Sequence, residues 1–344
     1  MEANYKKSLR KLRQYNYTFL KILLVIIFFP IVLLLSFICS RVFIPYLFNY
    51  KRSGVDQNNV ELNTLQQLEA DVKAKKLKNF VINESDLQES FIEFNNNKIS
   101  TLMLEHPTSS KWVVGLHGFK RNKYIGLRNI YHFYQAGYNI LTFDAYAHGN
   151  TYGNKSDLGV TNSIILNFLI TWLKQNKNPS VIGVFGISMG ASTALWFAHQ
   201  FYYENKIDWL IVDCPFSQPV QQIRAFLRKY VKLPWWLMSL GINRNFRKHS
   251  KTDLKHMNLL KENDRIKDLP ILFIHGTKDS FVKYHNSVVM YYLQQQESQK
   301  SEIFLVNKAE HSGALAVDQK AYQQKTLAFA RKWDLNFLEK KLII

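Results

Sequence analysis

From residue 22 to residue 40 the chain reads ILLVIIFFPIVLLLSFICS and carries no charge. As a helix this run would be about 28 Å long, close to the ~30 Å hydrocarbon core of a bilayer. The pattern predicts one membrane-spanning helix, with Pro30 as a tolerated kink. Arg41 closes the run, and Phe43, Tyr46 and Tyr50 beyond it suit an aromatic belt at the headgroups. A cleaved signal peptide has an apolar region of only ~7–15 residues and ends at a small-x-small site, which SFICS does not offer. Basic residues precede the run at Lys6, Lys7, Arg10, Lys11, Arg13 and Lys21, against the single acid Glu2. The positive-inside bias then places the short amino-terminal tail in the cytoplasm, with the rest of the chain outside as a single-pass cell-membrane protein.

Beyond this anchor, assigned to residues 1–52, the pattern changes twice. Residues 53–84 read as a polar stalk or linker in which Leu62, Leu65, Leu68 and Val72 fall at helical spacing. SFIEFNNNKISTLMLEH then alternates apolar and polar positions around Asn95, Asn96 and Asn97, a hairpin signal. After it, short apolar runs at 111–117, 138–144, 180–186, 208–213, 271–276 and 302–306 alternate with helical stretches. Runs so uniformly apolar suit parallel strands buried on both faces. The order predicts an α/β domain over 85–338 with a mostly parallel, doubly wound sheet, interrupted by a basic, aromatic insertion at 215–268.

Composition narrows the function classes. The 344 residues are 47% apolar and 21% charged, with 14 Gly and 8 Pro, which excludes a disordered or collagen-like polymer. Cys39 and Cys214 cannot form a disulfide framework, and no Cys/His cluster has zinc spacing, so neither metal nor cofactor is expected. The net charge is +19, with nine of the Lys and Arg residues and one acid in residues 1–52. The remainder is also basic, which suits either an anionic surface or an ordinary solvated one; no nucleic-acid-binding motif accompanies it.

The sharpest chemical signal is Gly186-Ile187-Ser188-Met189-Gly190, directly after the strand VIGVFG and before the helical ASTALWFAHQFYY. A serine on such a strand-to-helix turn is strained and exposed at the sheet's carboxyl edge, and small flanking residues let strand and helix approach. This motif in this setting resembles the α/β-hydrolase superfamily, and the likeness extends over most of 90–338. Similar proteins include bacterial membrane-anchored cell-surface serine hydrolases of the prolyl-oligopeptidase-like and esterase-like branches.

The resemblance implies a nucleophile at Ser188 and an oxyanion hole from the amides of Phe119, in His117-Gly118-Phe119, and Met189. It implies an acid at Asp279, in HGTKDSFV, with Asp213 as the rival, and a base at His311. FDAYAHGNTYG departs from the family's D-x-R-G-H-G-x-S turn at Tyr146-Ala147, leaving Asp144 and His148 as loop-shaping residues. The insertion places Val220, Ile223, Phe226, Leu227 and Tyr230 on one helical face, and a second helix is expected to start at Leu233-Pro234. Phe226, Trp235, Trp236 and Met238 are its candidate substrate contacts; plain packing on the core, or contact of Trp235 and Trp236 with a bilayer, stays open. The expected activity is hydrolysis of a small or lipid-like acyl ester through an acyl-enzyme. Acyl transfer, thioester or small-peptide hydrolysis, and a catalytically silent surface binding module are the alternatives.

Overall fold

A computed structural model of the chain describes residues 2–13, 19–232 and 235–334. The expected helix start at Leu233-Pro234 and the expected domain end at 335–338 lie outside the described residues, as do the side chains of Phe43 and Tyr46. In chain order the helices and strands are α1 (Glu2–Arg13), α2 (Phe19–Ile27), α3 (Phe29–Phe48), α4 (Leu65–Ala74), β1 (Gln88–Phe94), β2 (Asn97–Leu104), β3 (Lys111–Leu116) and α5 (Lys123–Gln135). Then come β4 (Asn139–Phe143), α6 (Val160–Lys177), β5 (Val181–Ile187), α7 (Met189–Phe201), β6 (Trp209–Asp213), α8 (Pro219–Phe226), α9 (Trp235–Ser250) and β7 (Ile271–Gly276). The described residues end with α10 (His285–Glu297), β8 (Glu302–Val306), α11 (Ala314–Val317) and α12 (Gln319–Asp334).

The eight strands form one sheet in the order β1-β2-β4-β3-β5-β6-β7-β8. β1 and β2 pair antiparallel through the predicted hairpin, where Asn95 and Asn96 take the positive φ that a tight hairpin turn needs. β2 runs antiparallel to β4, and β4 through β8 are parallel. Successive side chains point to opposite faces, which explains why the parallel runs are apolar throughout. Ile182, Val184, Leu210 and Val212 meet helices α6, α7 and α10 on one face. Val181, Phe185, Trp209 and Ile211 meet α4, α5 and α12 on the other.

The region read as a linker is therefore structural. Leu68 and Val72 on α4 are buried in that second layer, and Arg128 of α5 reaches Asp71 at 2.5 Å. The amphipathic spacing was visible, but its partner face on α5 was not.

The amino-terminal segment differs most from expectation. Among the described residues no helix is long and apolar enough to cross a membrane. The apolar run is held as α2 and α3, interrupted at Phe28, close to Pro30, which brings no N–H to the helical ladder. Its flanks rest on the same body. On α1, Ser8 Oγ lies 2.9 Å from His285 Nδ1, and Tyr5 stacks on Tyr292 with ring centroids 4.1 Å apart. On α3, Ser36 Oγ accepts the Gly241 N–H of α9 at 2.9 Å, and Phe48 is buried against Phe246 and His249. Tyr50, expected in an aromatic belt, packs on Phe119 and His148 instead. Arg52 donates to the carbonyls of Gly149 and Gly153 at 3.0 and 2.5 Å. With α1 docked on α10, the single-pass arrangement, in which a span holds the tail apart from the sheet domain, finds no support among the described residues.

Candidate active site

The carboxyl ends of β3, β5, β7 and β8 converge on one pocket. At the end of β5, Ser188 has φ 53° and ψ −113°, a conformation that costs a non-glycine residue roughly 1–3 kcal/mol. Surrounding groups impose it: Ser188 N–H donates to Asp213 O at 2.8 Å, and its carbonyl accepts from Ser192 N–H at 3.0 Å. A Cβ at Gly186 would sit 2.4 Å from Gly190 O, and one at Gly190 would sit 2.4 Å from Leu116 O. Both glycines are thus required by close backbone approach, as the motif implied.

Ser188 Oγ lies 2.9 Å from His311 Nε2, and His311 Nδ1 lies 2.7 Å from Asp279 Oδ2. Asp279 follows β7 and His311 follows β8. The two loops are tied together by Thr277 N–H donating to Val306 O at 3.0 Å and Lys278 N–H donating to Ala309 O at 2.9 Å. Asp279 Oδ1 accepts the amides of Phe281 and Val282 at 2.9 and 2.8 Å. Burial works against the Asp279 charge, but hydrogen bonds from His275 and His311 outweigh it and hold the carboxyl well below its usual range. His275 Nε2 stands 3.2 Å from Asp279 Oδ2, so the strand-end histidine braces the acid. For His311, burial disfavours the charged ring, but the Asp279 carboxylate beside it favours it, and the net shift of its pKa is upward. Phe281 covers the ring at 4.9 Å between centroids.

The rival acid is elsewhere in the network. Asp213 Oδ2 accepts from Tyr322 OH at 2.9 Å, its Oδ1 has no hydrogen-bond partner among the described residues, and burial pushes its pKa up. Cys214 is buried beside Ser312, Sγ to Oγ 3.3 Å, and burial raises its pKa too. Cys214, Asp279 and His311 have ligand-type atoms within 4.8 Å of one another, but two of the three are already engaged in the hydrogen-bonded chain to Ser188.

After β3, His117 is buried; Nδ1–H donates to Gly118 O at 2.8 Å and Nε2 accepts Ala145 N–H at 2.9 Å, fixing the turn. Burial lowers its pKa, in keeping with a neutral brace. Gly118 packs so closely that a Cβ would lie 3.4 Å from Ser188 Cβ, and Phe119 follows at the pocket wall. Met189 opens α7, where the first N–H groups have no carbonyl partner within the helix. Asp144 accepts from the amides of Lys123 and Asn150, both at 2.9 Å, and His148 Nε2 accepts Lys120 N–H at 3.3 Å, the loop-shaping roles expected of them.

The pocket has a volume of about 580 Å³, within the ordinary range for a small-molecule site. Of the four insertion residues singled out, Phe226 lines it, together with Ile223 and Pro219 of α8. Met238 is buried behind the pocket wall, in one cluster with Phe48, Ile223, Ile242 and Phe246; Trp235 packs at the edge of that cluster beneath Arg224, and Trp236 is half-buried on the same helix. Phe48 and Leu158 also line the pocket and were not anticipated, because Phe48 follows a run that looks like an anchor.

A family model described as alpha/beta hydrolase fold matches residues 111–265. The protein YqkD of Bacillus subtilis, named as uncharacterized, is 25% identical over 225 residues, 65% of this chain and 72% of that one. The lysophosphatidylserine lipase ABHD12 of Danio rerio is 25% identical over 161 residues, 45% of this chain and only 39% of that protein's length. Among solved structures, the Pyrococcus furiosus esterase Pf2001 superposes with a TM-score of 0.61 at 24% identity, covering 83% of this chain and 99% of that one. A putative lipase from Acinetobacter baumannii gives 0.54 at 16% identity, covering 79% and 97%. At these identities the structural likeness speaks for the fold alone.

Proposed function

From membership of the α/β-hydrolase superfamily, we propose that this chain is a serine hydrolase that cleaves carboxylic esters through an acyl-enzyme. The observation that carries the reading is the unbroken chain from Ser188 Oγ to His311, 2.9 Å, and from His311 to Asp279, 2.7 Å. A serine hydroxyl attacks only when its proton is removed as the bond forms, and His311 Nε2 is within reach of it. Oγ adds to the ester carbonyl carbon while its proton passes to His311. The carbonyl oxygen becomes an oxyanion, which the Phe119 and Met189 amides stabilise. Collapse breaks the carbon–oxygen bond to the alcohol, which leaves with the proton from His311. Water, deprotonated by the same ring, then releases the acid and frees Ser188. Asp279 holds the ring's tautomer and balances its charge throughout. The lipase name of the ABHD12 relative, which this chain matches over 39% of that protein's length, is in keeping with the reaction class.

The apolar wall of Phe48, Leu158, Phe216, Ile223 and Phe226 supports an acyl chain as the substrate's apolar part. The same reading attaches the protein to a membrane through α2 and α3, whose apolar side chains stay open, Ile26 at 65% and Leu34 at 61%, beside the basic α1. Attachment is from one face, with α1 and the sheet domain on the same side. The test is turnover of p-nitrophenyl butyrate by the full chain. Ser188→Ala is expected to lower it by about a thousandfold or more. A folded variant that retains the activity would refute the assignment.

A further inference from the structure

The pocket in front of Ser188 has two chemically different faces. The apolar face is built from the lid helix α8 with Phe48 and Leu158. The other comes from α4, α5 and the loop after β3, and it presents Lys75, Lys120, Arg121 and Arg128. Among the described residues that line the cavity there is no Asp or Glu. Asp71, just behind, is engaged by Lys75 at 2.7 Å and by Arg128 at 2.5 Å, so one carboxylate serves two cations. Lys120 and Arg121 have no carboxylate partner among the described residues; the Lys120 ammonium rests 5.5 Å from the centroid of the Phe119 ring. Four cations against one acid leave a surplus of three positive charges at the mouth of a cavity with low-dielectric walls, where such charge is felt strongly. Both exposed cations follow the oxyanion donor Phe119 by one and two residues, so they stand beside the position an ester's reacting group must take.

Resting on the esterase reading and specifying its substrate class, we infer that the pocket selects an anionic amphiphile: an acyl ester whose chain lies along the apolar face and whose phosphate or carboxylate group is held by Lys120 and Arg121. Arg121 presents a planar fork of donors suited to phosphate or carboxylate oxygens, with Lys120 as a second point charge. An uncharged ester of the same chain would fill the apolar face and leave these cations unpaired.

The test separates binding from turnover. In the full chain carrying Ser188→Ala, affinities for octyl phosphate, octyl glucoside and inorganic phosphate are measured by calorimetry at low ionic strength, below micelle formation. Octyl phosphate is expected to bind at least tenfold more tightly than octyl glucoside. That ratio is expected to fall toward one in Arg121→Gln and in the Lys120→Gln/Arg121→Gln pair, and to recover partly in Arg121→Lys. Inorganic phosphate binding as tightly as octyl phosphate would make this a free-phosphate site and overturn the amphiphile assignment. Equal affinity for the charged and uncharged octyl compounds, or a ratio that survives the double substitution, would overturn the inference. Because the nucleophile is absent from this experiment, either failure leaves the esterase reading to be judged by p-nitrophenyl butyrate turnover in the unmodified chain.

Discussion

Replacing Asp279 and Asp213 one at a time by Asn separates two carboxylates near His311, one in the turn after β7 and one at the end of β6. When Ser188 attacks, His311 becomes an imidazolium next to Asp279 Oδ2, 2.7 Å away in the resting state. With roughly 4 Å between charge centres and an effective dielectric near 20, that pair contributes about 4 kcal/mol. Losing it predicts a fall in kcat of about a thousandfold, since each ~1.4 kcal/mol is tenfold. The amide also allows the ring to take the wrong tautomer, which extends the expected loss toward about ten-thousandfold. Asp213 is different: burial favours its neutral form, it is hydrogen-bonded to Tyr322, and an amide oxygen can accept that bond as well. Asp213→Asn is therefore expected to change kcat by less than about tenfold. The assay is the steady-state hydrolysis of p-nitrophenyl butyrate by both variants, with circular dichroism to establish folding. A large loss in Asp213→Asn with a small one in Asp279→Asn would refute the assignment of the acid.

Three further outcomes are expected. Because the ring must be neutral to accept the serine proton and its pKa is raised, kcat/KM for an uncharged ester should climb with pH through a value above the ordinary ~6.5; in the residual activity of Asp279→Asn that limb should move to lower pH, as read from a pH–rate profile. Gly190→Ala puts a methyl group against the backbone oxygen of Leu116, and a urea titration should show a destabilisation of roughly 1–3 kcal/mol or more, or no soluble protein, whereas a change below about 0.5 kcal/mol would show that the elbow has room. Leu68→Ala should cost about 2–5 kcal/mol in the same titration, and a null effect would return residues 53–84 to the status of a linker.

Much of the fold could be read from local pattern, since the parallel strands are apolar runs bounded by turns and each was located within a residue or two. Gly186, Ser188 and Gly190 were recognisable because a close approach of backbone to backbone restricts residue type at fixed spacing. Asp279 and His311 were legible only through the resemblance and the chain order it implies; nothing local says that two loops 32 residues apart meet. His275 looked like an ordinary strand end because its contact with Asp279 comes from a turn four residues on. Less could be said where helices choose partners. Leu68 and Val72 showed a helical stripe without showing α5 beneath it, and the apolar run before Arg41 did not show that Ser36 and Phe48 would be covered by α9. The cationic face could not be foreseen because Lys75, Lys120 and Arg128 come from separate elements and are brought together only by the packing of α4 on α5.

The most direct measurement is covalent labelling of the full-length protein with a fluorophosphonate probe, followed by mass spectrometry of the modified peptide. A single adduct on Ser188 is expected, absent in Ser188→Ala and formed far more slowly in His311→Ala. A folded chain that resists the probe, or one labelled equally well after Ser188 is removed, would contradict the serine hydrolase reading.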